Sequence, residues 1–432
     1  MATILRNGAS NDNPKFPFAV EPGRRTRVRW RYRRLVALTR CHTALTVPFH
    51  MIGTLLQRGD WRGRIEAQRA LLRFLNGLDW LLRDPKTVVG RTPYTTILHQ
   101  GKLEVRRYHL GSVKQRYPVP IVLVPPLMVK PFIYDLYPGR SLVAFLLERG
   151  FQPYVVDFGE PDEADQIVRL DQYVVEWLPA ACRAVREDSG VETLSLLGYC
   201  MGGVFCLMYV AVEADHDVRN IVCIATPVDM SKMGILAWVA KLAGKQVETL
   251  AHTLGNVPGG LSSTAFRLLT PMKNLTRYTD LFLNLWNHEY VTGFDAMNQW
   301  VGQFIDYPRD AFVQFTREFM QQNKLARGQL TLGGKVVHLR NVHSNVLVFA
   351  GKTDQVAPPA AVRALLGKVG SKDKTFLLVP AGHMGILAGS QAPTQVWEPM
   401  ARWLAARSRR AKARQSRHAI AKPATRMQAA AS

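Results

Sequence analysis

A cysteine framed by glycines is the feature of this chain whose residue types and spacing most directly suggest chemistry. In Leu197-Gly198-Tyr199-Cys200-Met201-Gly202-Gly203, Cys200 follows the strand-like run Thr193–Leu197 and precedes an apolar helical pattern, Val204–Ala214. A strand, then Gly-x-Cys-x-Gly, then a helix is the form of a nucleophile elbow, with a thiol where a hydroxyl is usual. Such a turn strains the backbone of its central residue, and its flanking positions must be glycine because a side chain there would collide. A free cysteine buried in a glycine-rich turn gives the same string. The two readings part only when the rest of the chain is searched for a base and for a group to orient it.

Both are present, in the chain order nucleophile, acid, histidine. The strand-like run Asn345–Ala350 leads through Gly351-Lys352-Thr353 to Asp354, and Thr375–Val379 leads through Pro380-Ala381-Gly382 to His383. Of the eleven histidines, His383 is the one that follows the last expected strand. Asp229, after Asn220–Ala225, is the rival acid, though it also suits a turn or a helix cap. Asp157, at the end of an earlier strand, reads as structural. Gly351-Lys352-Thr353 hints at a phosphate loop, but that motif needs glycine at the position held by Val346, and it is rejected. A thioester oxyanion would need two backbone N–H donors. Met201, directly after the nucleophile, supplies one, and the loop after Val124 supplies the other. Pro125 and Pro126 cannot donate, which leaves Leu127 or Met128.

These residues need a scaffold, and the hydropathy pattern outlines one. Expected strands are Thr95–Leu98, Lys102–His109, Ile121–Val124 and Gln152–Phe158, followed by those already named around the candidate residues. Expected helices are Ser141–Arg149 (ended by Gly150), Leu170–Glu187, Val204–Ala214, Pro359–Val369 and Val396–Ala406. Their alternation predicts a mostly parallel sheet with helices on both faces. It breaks over residues 230–340, which are rich in aromatics, Met and Asn. The simplest reading of that stretch is a largely helical cap inserted before the acid-bearing strand. Residues 95–229 and 341–406 would then be the two parts of the core. Residues 35–94 read as a helical N-terminal segment, with Leu71, Leu72, Leu75, Leu78, Leu81 and Leu82 at helical spacing. Residues 1–34 read as a basic disordered arm, and 407–432 as a basic low-complexity tail.

Charge is unevenly spread. The net charge is +23. Residues 1–34 hold nine Lys/Arg against two acids and residues 407–432 hold eight against none, so these ends account for +15 of the total. The basicity therefore bears on what the appendages touch rather than on the core. Arg24, Arg25, Arg27, Arg29, Arg31, Arg33 and Arg34, interleaved with Trp30 and Tyr32, suit nucleic acid, an anionic surface or an acidic partner, and equally a solvated arm. Five cysteines without a CxxC pair argue against a zinc site or a disulfide framework and for a reducing cytoplasm. No signal peptide and no transmembrane run are expected, and no metal or cofactor is called for.

The chain resembles the poly(3-hydroxyalkanoate) synthases, in particular the short, class III-like catalytic subunits. The resemblance runs from roughly Lys86 to Ala406. It is carried by Val124-Pro125-Pro126 with Ile133-Tyr134-Asp135-Leu136, by Val156-Asp157-Phe158-Gly159 with Asp162 and Asp165, and by the Cys200 segment. Further pieces are Ala225-Thr226-Pro227-Val228-Asp229, Glu318 to Leu332 with Asn323-Lys324-Leu325, Asp354 with Val356-Ala357-Pro358-Pro359, and Gly382-His383-Met384-Gly385. Phe158 stands where the family usually has Trp, and Met201 where the short class has Gln.

The resemblance implies an α/β-hydrolase fold in which Cys200 is acylated, His383 is its base and Asp354 the third member. It implies an acyltransferase that polymerises (R)-3-hydroxyacyl-CoA with release of CoA, without a cofactor. It also implies a homodimer, a second synthase subunit, and a cytoplasmic location at polymer granules. Sulfur suits that reaction. Exchanging one thioester for another costs little, and the acyl group stays activated for attack by a hydroxyl. Two other readings stay open on sequence alone. One is a cysteine hydrolase cleaving a thioester or polyester; the other is a non-catalytic nucleic-acid- or granule-binding protein on the same scaffold.

Overall fold

In a computed structural model of the chain, residues 61–82, 89–111, 113–268 and 271–409 are described. The expected arm over 1–34, Cys41 and nearly all of the 407–432 tail lie outside them. The described residues form two compact units. The smaller one joins helix α1 (Trp61–Leu82) to residues 282–286. There Asn76 donates to the Leu285 carbonyl at 2.7 Å and Arg69 lies 4.8 Å over the Trp286 ring.

The larger unit is built on an eight-stranded sheet. Its strands are β1 (Tyr94–Gln100), β2 (Leu103–Tyr108), β3 (Ile121–Val124), β4 (Pro153–Asp157), β5 (Leu194–Tyr199) and β6 (Val218–Ile224), then β9 (Asn345–Gly351) and β10 (Lys374–Val379). Two short strands, β7 (Thr331–Leu332) and β8 (Lys335–Val336), make a separate hairpin. The sheet order is β1-β2-β4-β3-β5-β6-β9-β10, and only the pairs that β2 makes are antiparallel. β3 and β5 are buried along their whole length. That explains their unbroken apolar sequences, since a parallel strand covered on both faces has no polar side to show. From β3 the chain moves outward to β4 and then returns to the other side of β3 as β5. The crevice at their carboxyl ends is thus the switch point where α/β sheets bind ligands.

Helices α2 (Leu142–Glu148), α3 (Leu178–Ser189) and α4 (Met201–Glu213) follow β3, β4 and β5. Ser141 caps α2 by accepting from the Ala144 N–H at 2.9 Å, and Gly150, at φ 85°, turns the chain into β4. The expected helix Leu170–Glu187 opens instead with a π-helical turn, Gln172–Trp177, where Tyr173 and Trp177 pack edge to face. Helix α4 starts at Met201 rather than Val204, because the elbow passes directly into its first turn.

Between β6 and β9 lie α5 (Ile235–Leu254), α6 (Gly259–Leu268), α7 (Pro271–Asn284), α8 (His288–Gly302), α9 (Arg309–Gln314) and α10 (Lys324–Arg327), with the β7–β8 hairpin after them. The apolar run Leu281–Trp286 is helical only as far as Asn284. Last come α11 (Pro359–Arg363), α12 (His383–Ala388) and α13 (Glu398–Arg407). Among the described residues, no helix is long and apolar enough to cross a membrane.

Candidate active site

Cys200 sits where β5 ends and α4 begins, at φ 53° and ψ −119°, a conformation that costs a non-glycine residue energy. Neighbouring structure holds it there. Its N–H donates to the Ile224 carbonyl at 2.8 Å, and its carbonyl accepts from Gly203 at 3.1 Å. The Tyr134 hydroxyl donates to the Val124 carbonyl at 2.8 Å and accepts from the Tyr199 N–H at 3.2 Å, which ties the elbow to the end of β3. The flanking glycines are required by contact. A Cβ on Gly198 would lie 2.3 Å from the Gly203 Cα, and one on Gly202 would lie 2.0 Å from the Val124 oxygen.

His383 opens α12, borders the same cavity as Cys200, and lies close enough for the two side chains to interact electrostatically. Its Nδ1 lies 2.8 Å from Asp354 Oδ2, so Nε2 is the nitrogen turned to the thiol. Asp354 is wholly buried and fully used, with Oδ1 accepting from the Val356 N–H at 2.9 Å and the Ala357 N–H at 2.8 Å. The Tyr199 hydroxyl donates to the His383 carbonyl at 3.0 Å, and the two rings lie 5.0 Å apart. Burial by itself would lower the His383 pKa. The negative charges available on Cys200 and Asp354 outweigh it and raise the imidazole to about 10.

Asp229 lies elsewhere. Its carboxylate accepts from Ser231 and, at 2.8 Å, from the Asn323 side chain, and Lys232 is 3.5 Å away. Burial would raise its pKa, but those hydrogen bonds prevail and hold it below the usual carboxylate range. It is a cap at the start of the insertion, the second of the two readings open to it. Asp157 pairs with Arg106 at 2.7 Å and accepts from the Gly159 N–H, as a structural residue would.

Cys182, Cys206 and Cys223 are fully buried, and burial pushes their thiols up, those of Cys182 and Cys223 to about 12. Among the described cysteines, Cys200 is the one that is partly exposed.

Met201 begins α4, so its N–H belongs to the helix end whose donors have no partner within the helix. Leu127 and Met128 border the same cavity as Met201 and Cys200. Met128 has φ 59°. The insertion grips its carbonyl through the Ile305 N–H at 3.0 Å, and grips the Lys130 carbonyl through Trp300 Nε1 at 3.0 Å. Sequence reasoning missed Tyr134, Tyr199 and Trp300. Tyr199 was visible as the variable residue of Gly-x-Cys, but nothing local marks an indole some 170 residues away as a loop anchor.

The cavity has a volume of about 480 Å³ and a lining that is almost entirely apolar. Its walls come from the elbow, from His383 and from the insertion, including Met233, Leu250, Leu254, Phe266 and Phe304. Among the described residues no group of side chains could hold a metal ion.

A strained nucleophile at the end of the central strand, with an acid and a histidine after later strands, defines the α/β-hydrolase class. The model of the alpha/beta hydrolase fold matches residues 132–390. The chain is 34% identical over 355 residues to the poly(3-hydroxyalkanoate) polymerase subunit PhaC of Haloferax mediterranei, covering 82% of this chain and 71% of that protein. To the PhaC subunit of Allochromatium vinosum it is 34% identical, covering 76% and 92%. To that of Synechocystis it is 29% identical, covering 78% and 90%. The chain belongs to the poly(3-hydroxyalkanoate) polymerase family.

Proposed function

We propose that this chain polymerises (R)-3-hydroxyacyl groups from their CoA thioesters through an acyl-enzyme on Cys200. The observation that carries the reading is the Cys200–His383–Asp354 line, whose first two members border an apolar cavity, in a chain of this family. The raised imidazole basicity places the thiol proton on His383 Nε2 as an imidazolium–thiolate pair before substrate arrives, and the thiolate attacks the thioester carbonyl. Met201 and Leu127 or Met128 offer N–H groups to the oxyanion. CoA leaves as its thiol, taking the proton from the imidazolium. The hydroxyl of a second 3-hydroxyacyl group then attacks the acyl-enzyme, an ester forms, and Sγ is released and reprotonated.

Asp354 is badly placed to activate that hydroxyl itself. It does not border the cavity, and its oxygens already accept from three N–H groups. His383 is therefore the base in both half-reactions, with Asp354 orienting it. The apolar lining supports transfer over hydrolysis, because an acyl-enzyme away from water waits for an alcohol. No cofactor enters this scheme. Homodimer formation, a second subunit, granule association and contacts of the basic ends with granule or nucleic acid complete the proposal. So does a cytoplasmic site of action.

The test is incubation of the purified chain, alone and with a candidate second subunit, with (R)-3-hydroxybutyryl-CoA. Free thiol together with insoluble polyester is the expected result. Thiol without polymer in both conditions favours the hydrolase reading, and neither product leaves only a binding role.

A further inference from the structure

An oxygen-bearing acyl chain creates a problem in this cavity. A hydroxyl on C3 lies two carbons from the thioester carbonyl and loses its water when the chain enters. Burying it without a partner is costly. Few lining groups can help. The Tyr199 hydroxyl is committed to the His383 carbonyl and Trp300 Nε1 to the Lys130 carbonyl, while Cys200 and His383 are engaged in the chemistry.

Tyr307 is different. It comes from the segment between α8 and α9, and its backbone is pinned by a reciprocal pair of 2.9 Å bonds with Val257. Its ring is wedged edge to face against Phe312 at 5.5 Å. The side chain is almost completely buried and borders the cavity, near enough to Cys200 for the two to interact electrostatically. Its hydroxyl makes no hydrogen bond to any described residue. A buried phenol without a protein partner, held rigidly in the wall of the cavity that Cys200 also lines, is a donor waiting for a substrate oxygen.

We infer that the Tyr307 hydroxyl binds the 3-oxygen of the acyl group and so selects 3-hydroxyacyl thioesters over their deoxy counterparts. Burial raises the phenol's pKa, so it stays protonated and able to donate. The assignment rests on the polymerase reading and adds a specificity residue contributed by the insertion. Ser262 is the other lining residue whose hydroxyl makes no side-chain bond, which makes it the natural control.

The experiment measures single-turnover CoA release, with enzyme in excess, from (R)-3-hydroxybutyryl-CoA and from butyryl-CoA. Wild type, Tyr307→Phe and Ser262→Ala are compared. Wild type should prefer the hydroxylated thioester. Tyr307→Phe should slow release from it about tenfold, the scale of one lost hydrogen bond, while release from butyryl-CoA stays within about twofold. The Tm of Tyr307→Phe should be unchanged or higher, since no protein bond is lost. Four results overturn the assignment: equal slowing on both thioesters, slowing on neither, the selective loss in Ser262→Ala instead, or a wild type indifferent to the 3-hydroxyl. A wild type that releases CoA from neither thioester defeats the polymerase reading itself, and the inference falls with it.

Discussion

Cys200 gains its role from its neighbours, and that role can be removed one atom at a time. Replacing its sulfur by oxygen in Cys200→Ser keeps the shape but loses the thioester. Polymer formation should fall at least about a thousandfold, and in Cys200→Ala, which has no nucleophile at that position, an acyl-enzyme adduct should vanish from intact-mass spectra. Retention of the adduct would place the nucleophile elsewhere. Asp354→Asn should cut turnover by about 10²–10⁴-fold, because the imidazole loses the partner that selects its tautomer. Asp229→Asn should leave turnover nearly intact, since that carboxylate serves Ser231 and Asn323. Comparable losses in both variants would refute the assignment of Asp354. His383 also links stability to pH. Its folded pKa of about 10 lies above the ~6.5 of an unfolded histidine. The stabilisation is therefore fully present below pH ~6.5 and is lost as pH rises toward 10. Urea midpoints should decline over that window in wild type and much less in His383→Gln.

At the level of the element, the site depends on how closely α4 approaches the end of β3. A methyl at position 202 would meet the Val124 oxygen at 2.0 Å, a backbone atom that cannot swing aside. Gly202→Ala should destabilise the chain by about 1–3 kcal/mol or more and displace the elbow. Denaturant unfolding checks the first effect and alkylation of Cys200 by iodoacetamide the second. The foot of the insertion depends on Asn323 in a comparable way. In left-handed geometry at φ 50°, it donates to Asp229 and accepts from the Met230 N–H at 3.0 Å, stapling the residue before α10 to the start of the insertion. Asn323→Ala removes both bonds and should cost about 1–3 kcal/mol. Met230 borders the cavity, so KM should rise as well.

For the molecule as a whole, the contrast is between a catalytic body and two basic ends. Charge in the ends is a long-range, salt-screened quantity, whereas the proposed triad would work at contact distance. Deleting residues 1–34 should leave turnover per folded molecule unchanged. It should also weaken salt-sensitive binding to anionic granules or nucleic acid, measured by sedimentation at 50 and 300 mM salt. Lost turnover in a folded deletion would tie the arm to the active site. Elsewhere in the molecule, the insertion shapes the site, because Ile305 and Trp300 hold the loop that carries Leu127 and Met128.

Read alone, the amino-acid order was enough to place Cys200, Asp354 and His383 each after a strand. Turn glycines, apolar period and chain order are local properties, and they survive translation into structure within a residue or two. Its limit was reached wherever two distant segments had to meet. Asp354 and Asp229 both follow strands, and only packing brings the first against His383 while leaving the second to cap a turn. The π-helical opening before α3, the grip of Trp300 on the loop after β3 and the free phenol of Tyr307 were likewise decided in three dimensions. Hydrogen bonds between residues far apart in sequence form according to how the layers stack, and no short-range pattern records that stacking.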